Sequence, residues 1–270
     1  VKIGKQTAPH QSICTSNPDT IIVRGHDLVE DLIGSVSFTD YTWLLITGSL
    51  PDDRQRRMLD ATLVAIAEHG LVPSVQASRM TLAAAPEAIQ GAVAAGLLGC
   101  GSVILGAAET AGRLLQEILT ERADSDAPLE RAAETVMRHY RAAKRALPGY
   151  GHPLHKGRDP RAERLLSLAT ELGLAGPHCE AAKAVEALMP DVVGKPLMMN
   201  VSSAIPCVLL DAGYPLLALK GVPLLARTAG LIAHLLEEQT RPIGFVLSHA
   251  GAGAITYDGP APAGFVPNEN

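Results

Sequence analysis

Residues 149–161 read Gly-Tyr-Gly-His-Pro-Leu-His-Lys-Gly-Arg-Asp-Pro-Arg. They set a titratable His152 in backbone interrupted by Gly149, Gly151 and Pro153, and the basic run that follows ends in Arg161. Glycine admits conformations and close approaches that a side chain blocks, so this stretch is neither a plain helix nor a plain strand. Histidine gains or loses its charge near neutral pH. An imidazole fixed on such a turn, with an Arg a few residues away, suits proton transfer on an anionic substrate.

The surrounding charges extend that reading. Arg138, Arg141, Lys144, Arg145, Lys156, Arg158, Arg161 and Arg164 face only Asp159 and Glu163 over the same span, in a chain whose formal net charge is −5. A local basic field of this kind suits a phosphate-bearing, nucleotide-like ligand, with Gly149, Tyr150, Gly151, Lys156 and Arg158 as the cofactor-contacting positions; its plainer reading is a set of solvated helix ends. His155, three residues after His152, invites a metal site with Asp159. Pro153 and the glycines give no helical register there, and no third ligand follows, so no metal is expected and His155 is read as a surface or cofactor-lining side chain. Arg227 lies among Leu224, Leu225, Leu231 and Ile232. A guanidinium in such a run is costly to bury without an anionic partner, which is either a structural carboxylate or a ligand. Arg24 is read as a structural ion-pair residue.

The elements that must position these groups are mostly helices. Ile21–Val23 is the best strand. Helices are expected at 28–33 behind Asp27, at 38–47 before Gly48, from Pro51-Asp52 to Glu68-His69-Gly70, and from Pro86 to a break at Gly99-Cys100-Gly101. Further helices are expected at 103–120, 129–146, 160–172 (opened by Asp159-Pro160), 177–189 and 222–239, with a segment near 198–212 and a Gly/Ala/Pro-rich tail. Ser202 and Ser203 hold a water or cap the helix that starts beside them.

Hydrophobic residues make up 47% of the 270-residue chain, but aromatics only 3%. The core must therefore be built from Ala, Leu, Val and Ile, which favours closely packed helices. The acidic balance excludes non-specific nucleic-acid binding. Cys14, Cys100, Cys179 and Cys207 form no C-x-x-C pair and read as reduced, small apolar residues of a cytoplasmic protein. The polar first twenty residues show no signal peptide. Five glycines interrupt the apolar stretch 91–108, which reads as a buried helix pair and not a membrane span.

The Gly149–Arg161 stretch resembles the Gly-x-Gly-His-x-x-x-x-x-x-Asp-Pro-Arg motif of the citrate synthase family. Other segments agree in the same order: Ile22-Val23-Arg24-Gly25-His26-Asp27-Leu28; Ser37-Phe38 through Gly48-Ser49-Leu50-Pro51; Glu68-His69-Gly70 with Ser74 and Arg79; Asn200-Val201; and Ala226-Arg227 through His234. The short chain is most similar to the stand-alone, citryl-CoA lyase-like branch. The resemblance implies an all-α, multihelical fold, with 1–104 plus 209–270 as a large domain and 105–208 as a small domain closing over the site. It implies catalytic roles for His69, His152 and Ser202. His69 would bind a keto-acid carboxylate and His152 would act on the carbonyl or hydroxyl oxygen. Arg161 and Arg227 would clamp carboxylates, and Arg241 would be supplied by the partner of a homodimer. Several guanidinium forks suit a di- or tricarboxylate, because Arg pairs bidentately and stays charged.

Two positions depart from the family. Its enol-stabilising His falls at Ile104 or a neighbour in the stretch 103–109, and the Asp of its Asn-Val-Asp base falls at Ser202. Losing a positioned base and an oxyanion donor costs roughly 10²-fold or more each, so citrate synthesis from acetyl-CoA is not expected. The resemblance implies instead a carbon–carbon lyase that cleaves a carboxylated hydroxyacyl-CoA, such as citryl-CoA, to an acyl-CoA and a keto acid. The coenzyme A thioester would be a substrate, with no permanently bound cofactor. The alternatives are a non-catalytic relative that binds a di- or tricarboxylate without enolising acetyl-CoA, and altered chemistry on another acyl-CoA or acid.

Overall fold

The computed structural model describes residues 9–101, 105–151 and 157–265. Its elements are three short strands, β1 (Cys14–Ser16), β2 (Ile21–Val23) and β3 (His26–Asp27), followed by helices. These are α1 (Phe38–Thr47), α2 (Asp53–Ala67), α3 (Pro73–Ala84), α4 (Ile89–Leu98), α5 (Ala107–Ser125) and α6 (Leu129–Ala142). After them come α7 (Pro160–Glu171), α8 (Pro177–Val193), α9 (Val201–Asp211), α10 (Gly221–Thr240) and α11 (Gly244–Gly253). The all-α class expected from the sequence is what the structure has. The chain packs as two units, residues 1–65 with 107–222, and residues 66–106 with 223–270. These are units of packing. The expected large and small domains are a division by relative movement and belong with the proposed function.

In the first unit, β1, β2 and β3 form an antiparallel sheet in which Cys14 pairs with Val23 and Ile22 with Asp27. Asp27 then caps a wide helical turn, Leu28–Leu32, accepting the N–H groups of Val29 and Glu30. Val23, Leu32 and Leu44 form one small core cluster. Among the described residues Arg24 enters no ion pair there. Its Nε and Nη2 donate to the Leu45 carbonyl at 3.0 and 2.6 Å, tying the sheet to α1. A Ser37–Asp40 capping box starts α1, and Gly48 ends it in the left-handed conformation.

The centre of this unit is α9. Val201, Ser203, Ala204, Ile205, Cys207, Val208 and Leu209 are all buried, so the helix is enclosed on every side. It packs on α5, α7 and α8. The scarcity of aromatics is met by close approach: a Cβ on Gly112 of α5 would lie 2.6 Å from Leu219 and 3.2 Å from Pro206. Asp211, at the end of α9, turns back to accept the N–H groups of Gly176, His178 and Cys179 at 2.8–2.9 Å, so it caps α8.

In the second unit, α3 packs on α4 and α11. Neither α3 nor α11 is foreseen by the sequence pattern, and α4 begins at Ile89, later than the expected Pro86 start. Helix α3 buries polar residues, Ser74, Ser78 and Arg79, beside Val75 and Leu82. Ser78 donates to the Ala92 carbonyl at 2.8 Å. Arg79 Nε meets Glu238 of α10 at 2.6 Å, with both side chains 3% exposed. Glu238 also accepts the N–H groups of Ile243 and Gly244 at 2.7–3.1 Å and so starts α11. Among the described residues, 216–240 is long and apolar enough to cross a membrane by composition. It nonetheless carries Arg79's partner and has Leu231 and Leu235 fully buried in the protein.

Truncating one member of a buried ion pair costs about 3–5 kcal/mol where it leaves the other charge uncompensated. Arg79 Nη1 also meets the half-exposed Glu237 at 3.1 Å, so Glu238→Ala is expected to lower the unfolding free energy by about 3 kcal/mol, the low end of that range, read from urea denaturation.

Candidate active site

In the first unit the glycine-rich segment is held by main-chain bonds. Gly151 N–H donates to Met198 O at 2.7 Å, and Asn200 N–H donates to Gly149 O at 2.9 Å. Asn200 Nδ2 donates to Gly151 O at 2.6 Å. Residues 149–151 thus run antiparallel to 198–200, at the mouth of α9. Gly149 has φ +87°, and a Cβ there would lie 2.5–2.9 Å from Ser203. Tyr150 is buried beneath the segment. Its hydroxyl donates to Ala182 O at 2.9 Å and accepts from Ser203 Oγ at 3.3 Å. Burial pushes its pKa well above the ordinary tyrosine range, and the Ser203 bond offsets this only in part.

Asp159 closes the same corner. It is 1% exposed, caps α7 by accepting Arg161 N–H at 3.0 Å, and reaches Val201 N–H of α9 at 3.1 Å. Arg161 Nε and Nη2 meet its two oxygens at 3.1 and 2.9 Å. Burial raises the Asp159 pKa, but the Arg161 guanidinium and the Val201 N–H outweigh it and hold the carboxyl below its ordinary value. Arg161 is therefore locked by a bidentate pair, with further donors to spare. Ser202 sits at the first turn of α9. The helix cap is Asn200, whose Oδ1 accepts Ser202 N–H at 2.9 Å, and not a serine. Arg158 pairs with Glu186 at 3.1 Å and Glu163 at 3.4 Å. It lines a cleft of ≈ 240 Å³ with Ala162, Leu166, Lys183 and Met199. The expected basic field is partly neutralised, since Arg138 and Arg164 are also ion-paired, while Arg145 keeps its charge 3.8 Å over the Tyr140 ring. His152, His155, Lys156 and Ile104 lie outside the described residues.

The second unit holds the other predicted groups. Arg227 is 2% exposed, yet its Nε and Nη1 have no hydrogen-bond partner among the described residues, and the same holds for Ser74 Oγ. Burial raises the pKa of the Cys100 thiol, and the Arg227 charge and Ser74 only partly offset this. His69 is exposed in the turn after α2, and Glu68 Oε1 accepts its N–H at 2.8 Å. Arg241 is 81% exposed and pairs loosely with Glu237 at 3.5 Å, while its carbonyl accepts Arg79 Nη2 at 3.0 Å. Thus Gly149–Gly151, Arg158, Arg161 and Ser202 gather about the starts of α7 and α9, while His69, Arg227 and Arg241 belong to the other unit. Sequence reasoning missed Cys100 and His234 as neighbours of these groups, and took Asp159 only for a helix start. Among the described residues no three His, Cys, Asp or Glu side chains are placed to hold a metal ion.

Helical packing around a fully enclosed α9 defines an all-helical class of protein. Comparison with known proteins makes it specific. The sequence model described as "Citrate synthase, C-terminal domain" matches residues 51–244, and the chain belongs to the citrate synthase family. It is 31% identical over 200 residues to "Putative citrate synthase 2" of Mycobacterium bovis and of Mycobacterium tuberculosis, over 70% of this chain and 49% of theirs. The chain thus spans about half the length of those curated relatives. The structure of citryl-CoA lyase from Hydrogenobacter thermophilus matches with TM-score 0.82 and 32% identity, covering 95% of this chain and 97% of that one. ATP citrate lyase of Methanosaeta concilii, solved with (3S)-citryl-CoA, shares the fold at TM-score 0.74 and 22% identity, over 96% of this chain and 43% of that one.

Two outcomes follow from the first-unit geometry. Gly149→Ala meets both a left-handed backbone and the Ser203 backbone, and is expected to lower stability by about 1–3 kcal/mol in urea. Asp159 has a folded-state pKa below 3.8, so its contribution is present above the unfolded value and is lost as pH falls through the folded one. Urea midpoints of the native protein should therefore fall below pH ~4 more steeply than those of Asp159→Asn.

Proposed function

We propose that this chain is a citryl-CoA lyase-like enzyme that cleaves a carboxylated hydroxyacyl-CoA to an acyl-CoA and a keto acid. The observation that carries this is Arg227, a buried guanidinium whose Nε and Nη1 have no hydrogen-bond partner among the described residues, as is also true of the Ser74 hydroxyl. Burying a cation without a partner is costly, and a carboxylate ligand supplies what this site lacks. The near full-length likeness to a citryl-CoA lyase supports the choice of substrate class.

In the proposed reaction His152 takes the proton of the tertiary hydroxyl. The oxygen becomes a carbonyl as the adjacent carbon–carbon bond breaks, and the electron pair passes to the thioester as an enolate. Arg161, Arg227 and His69 hold carboxylates. Arg241, extended and exposed, serves a neighbouring copy in a homodimer. Arg158 and Lys156 face the coenzyme A phosphates, along the segment Gly149–Gly151. A water held by Ser202 returns the proton to the enolate carbon, since position 202 bears no carboxylate. A closing small domain, 105–208, and a cytoplasmic setting suited to four free thiols belong to the same proposal.

A second reading, a binder that has lost enolisation, is favoured by Ile104 and Ser202 alone. One assay separates the two. Citryl-CoA is mixed with purified protein, and acyl-CoA and keto acid are measured. Turnover at least roughly 10²-fold above a His152→Ala control is expected for the lyase, with Arg227→Met reducing it by a similar factor. No turnover above that control, with oxaloacetate or citrate bound in calorimetry, would establish the binder and refute the lyase.

A further inference from the structure

We infer that His234 is a positioning residue for His69, acting through Glu68. The inference rests on the role proposed above for His69. Helix α2 ends at Ala67, and Glu68-His69-Gly70 turns the chain, with Gly70 at φ +73°. Glu68 Oε1 accepts the N–H groups of His69 and Gly70 at 2.8 and 2.5 Å. Its other oxygen, Oε2, lies 3.0 Å from His234 Nε2 on α10. One carboxylate therefore grips the backbone of the His69 turn and is itself gripped by α10.

The spacing along α10 reinforces this. Arg227, Gly230 and His234 follow one another at three- and four-residue intervals, so they share one face. A Cβ on Gly230 would collide with the Ala67 carbonyl and lie 3.0 Å from Glu68 Oε2. The helix thus approaches the turn as closely as glycine permits. His234 Nδ1 is buried with no partner among the described residues. The contact to the carboxylate makes Nε2–H the donor to Glu68. His234 fixes the carboxylate, the carboxylate fixes the turn, and the turn sets where the His69 ring starts from.

Stability alone does not account for the pair. Glu68 is 47% and His234 15% exposed, and a partly solvated side-chain hydrogen bond contributes only about 1 kcal/mol. A displacement of about 1 Å in a reactive group, by contrast, can cost about 10²-fold in rate.

The test compares native protein, His234→Gln, which keeps an Nε2 donor, and His234→Leu, which does not. Ring resonances of His69 in carbon-13 histidine-labelled protein report its placement without any ligand. Turnover of citryl-CoA is measured in the same proteins and in a His69→Ala background. We expect His234→Gln to leave the His69 resonances in place and kcat/KM within about threefold of native. We expect His234→Leu to shift those resonances and lower kcat/KM about tenfold, with no further loss once His69 is Ala. Glu68→Gln should behave like His234→Leu, and covers the case in which that variant does not fold. Unmoved His69 resonances in both His234→Leu and Glu68→Gln, or an equal loss in the His69→Ala background, would overturn the inference. Resonances that move while His69→Ala keeps full turnover would leave the positioning intact and refute the assigned role of His69.

Discussion

The structure is organised by carboxylates that answer backbone N–H groups at helix starts and, at Glu68, in the turn after α2. Asp211 leaves the end of α9 to cap α8 and take the ring of His178 at 2.8 Å. Asp159 caps α7 and reaches the first N–H of α9, 42 residues on. Glu238 of α10 starts α11 while holding Arg79. Glu68 secures the turn after α2 while holding His234. The first few N–H groups of a helix have no partner within it, and an anion is favoured there by the helix dipole. In a protein with few aromatic rings, these charged caps fix which helix start meets which neighbour. Small residues at Gly112, Gly230 and Gly244 then let the helices close up.

The same device brings chemistry to defined places. Each capping carboxylate also carries a cation or an imidazole: Arg161 on Asp159, Arg79 on Glu238, His178 on Asp211, His234 on Glu68. Arg227 is the exception, a buried guanidinium whose Nε and Nη1 are unanswered among the described residues. A side chain whose charge is met within the fold is structural first. One whose charge is not met is where a small acid has most to contribute. That contrast separates Arg79, tied to Glu238 at 2.6 Å, from Arg227, although both are almost completely buried.

Much of this was legible in the sequence where local signals agree. Gly48 ends α1, Asp159-Pro160 opens α7, and periodic apolar positions mark α2, α8 and α10. The Gly149–Arg161 motif and the Arg227 run pointed to the family that the comparisons show. Helix α3 was not legible because its pattern is inverted: Ser74, Ser78 and Arg79 face inward. Helix α11 was not legible because Gly and Ala dominate it and its first N–H groups are held by Glu238, which lies on another helix. Nor could the sequence show that Asn200, two residues before Ser202, makes the α9 cap, or that Glu68 and His234 meet. These are tertiary contacts between residues whose local context is ordinary. Arg24 shows the converse: an Arg read as one half of an ion pair spends its guanidinium on a carbonyl.

The glycine-rich segment is anchored almost wholly by main-chain atoms and by a tyrosine that turns away from it. Its address therefore does not depend on the side chain at 202. A lineage can exchange an acid for a hydroxyl there without dismantling this support. Reactivity and architecture are separately heritable in such a scaffold, which lets one fold drift between making a bond, breaking it and merely holding the acid.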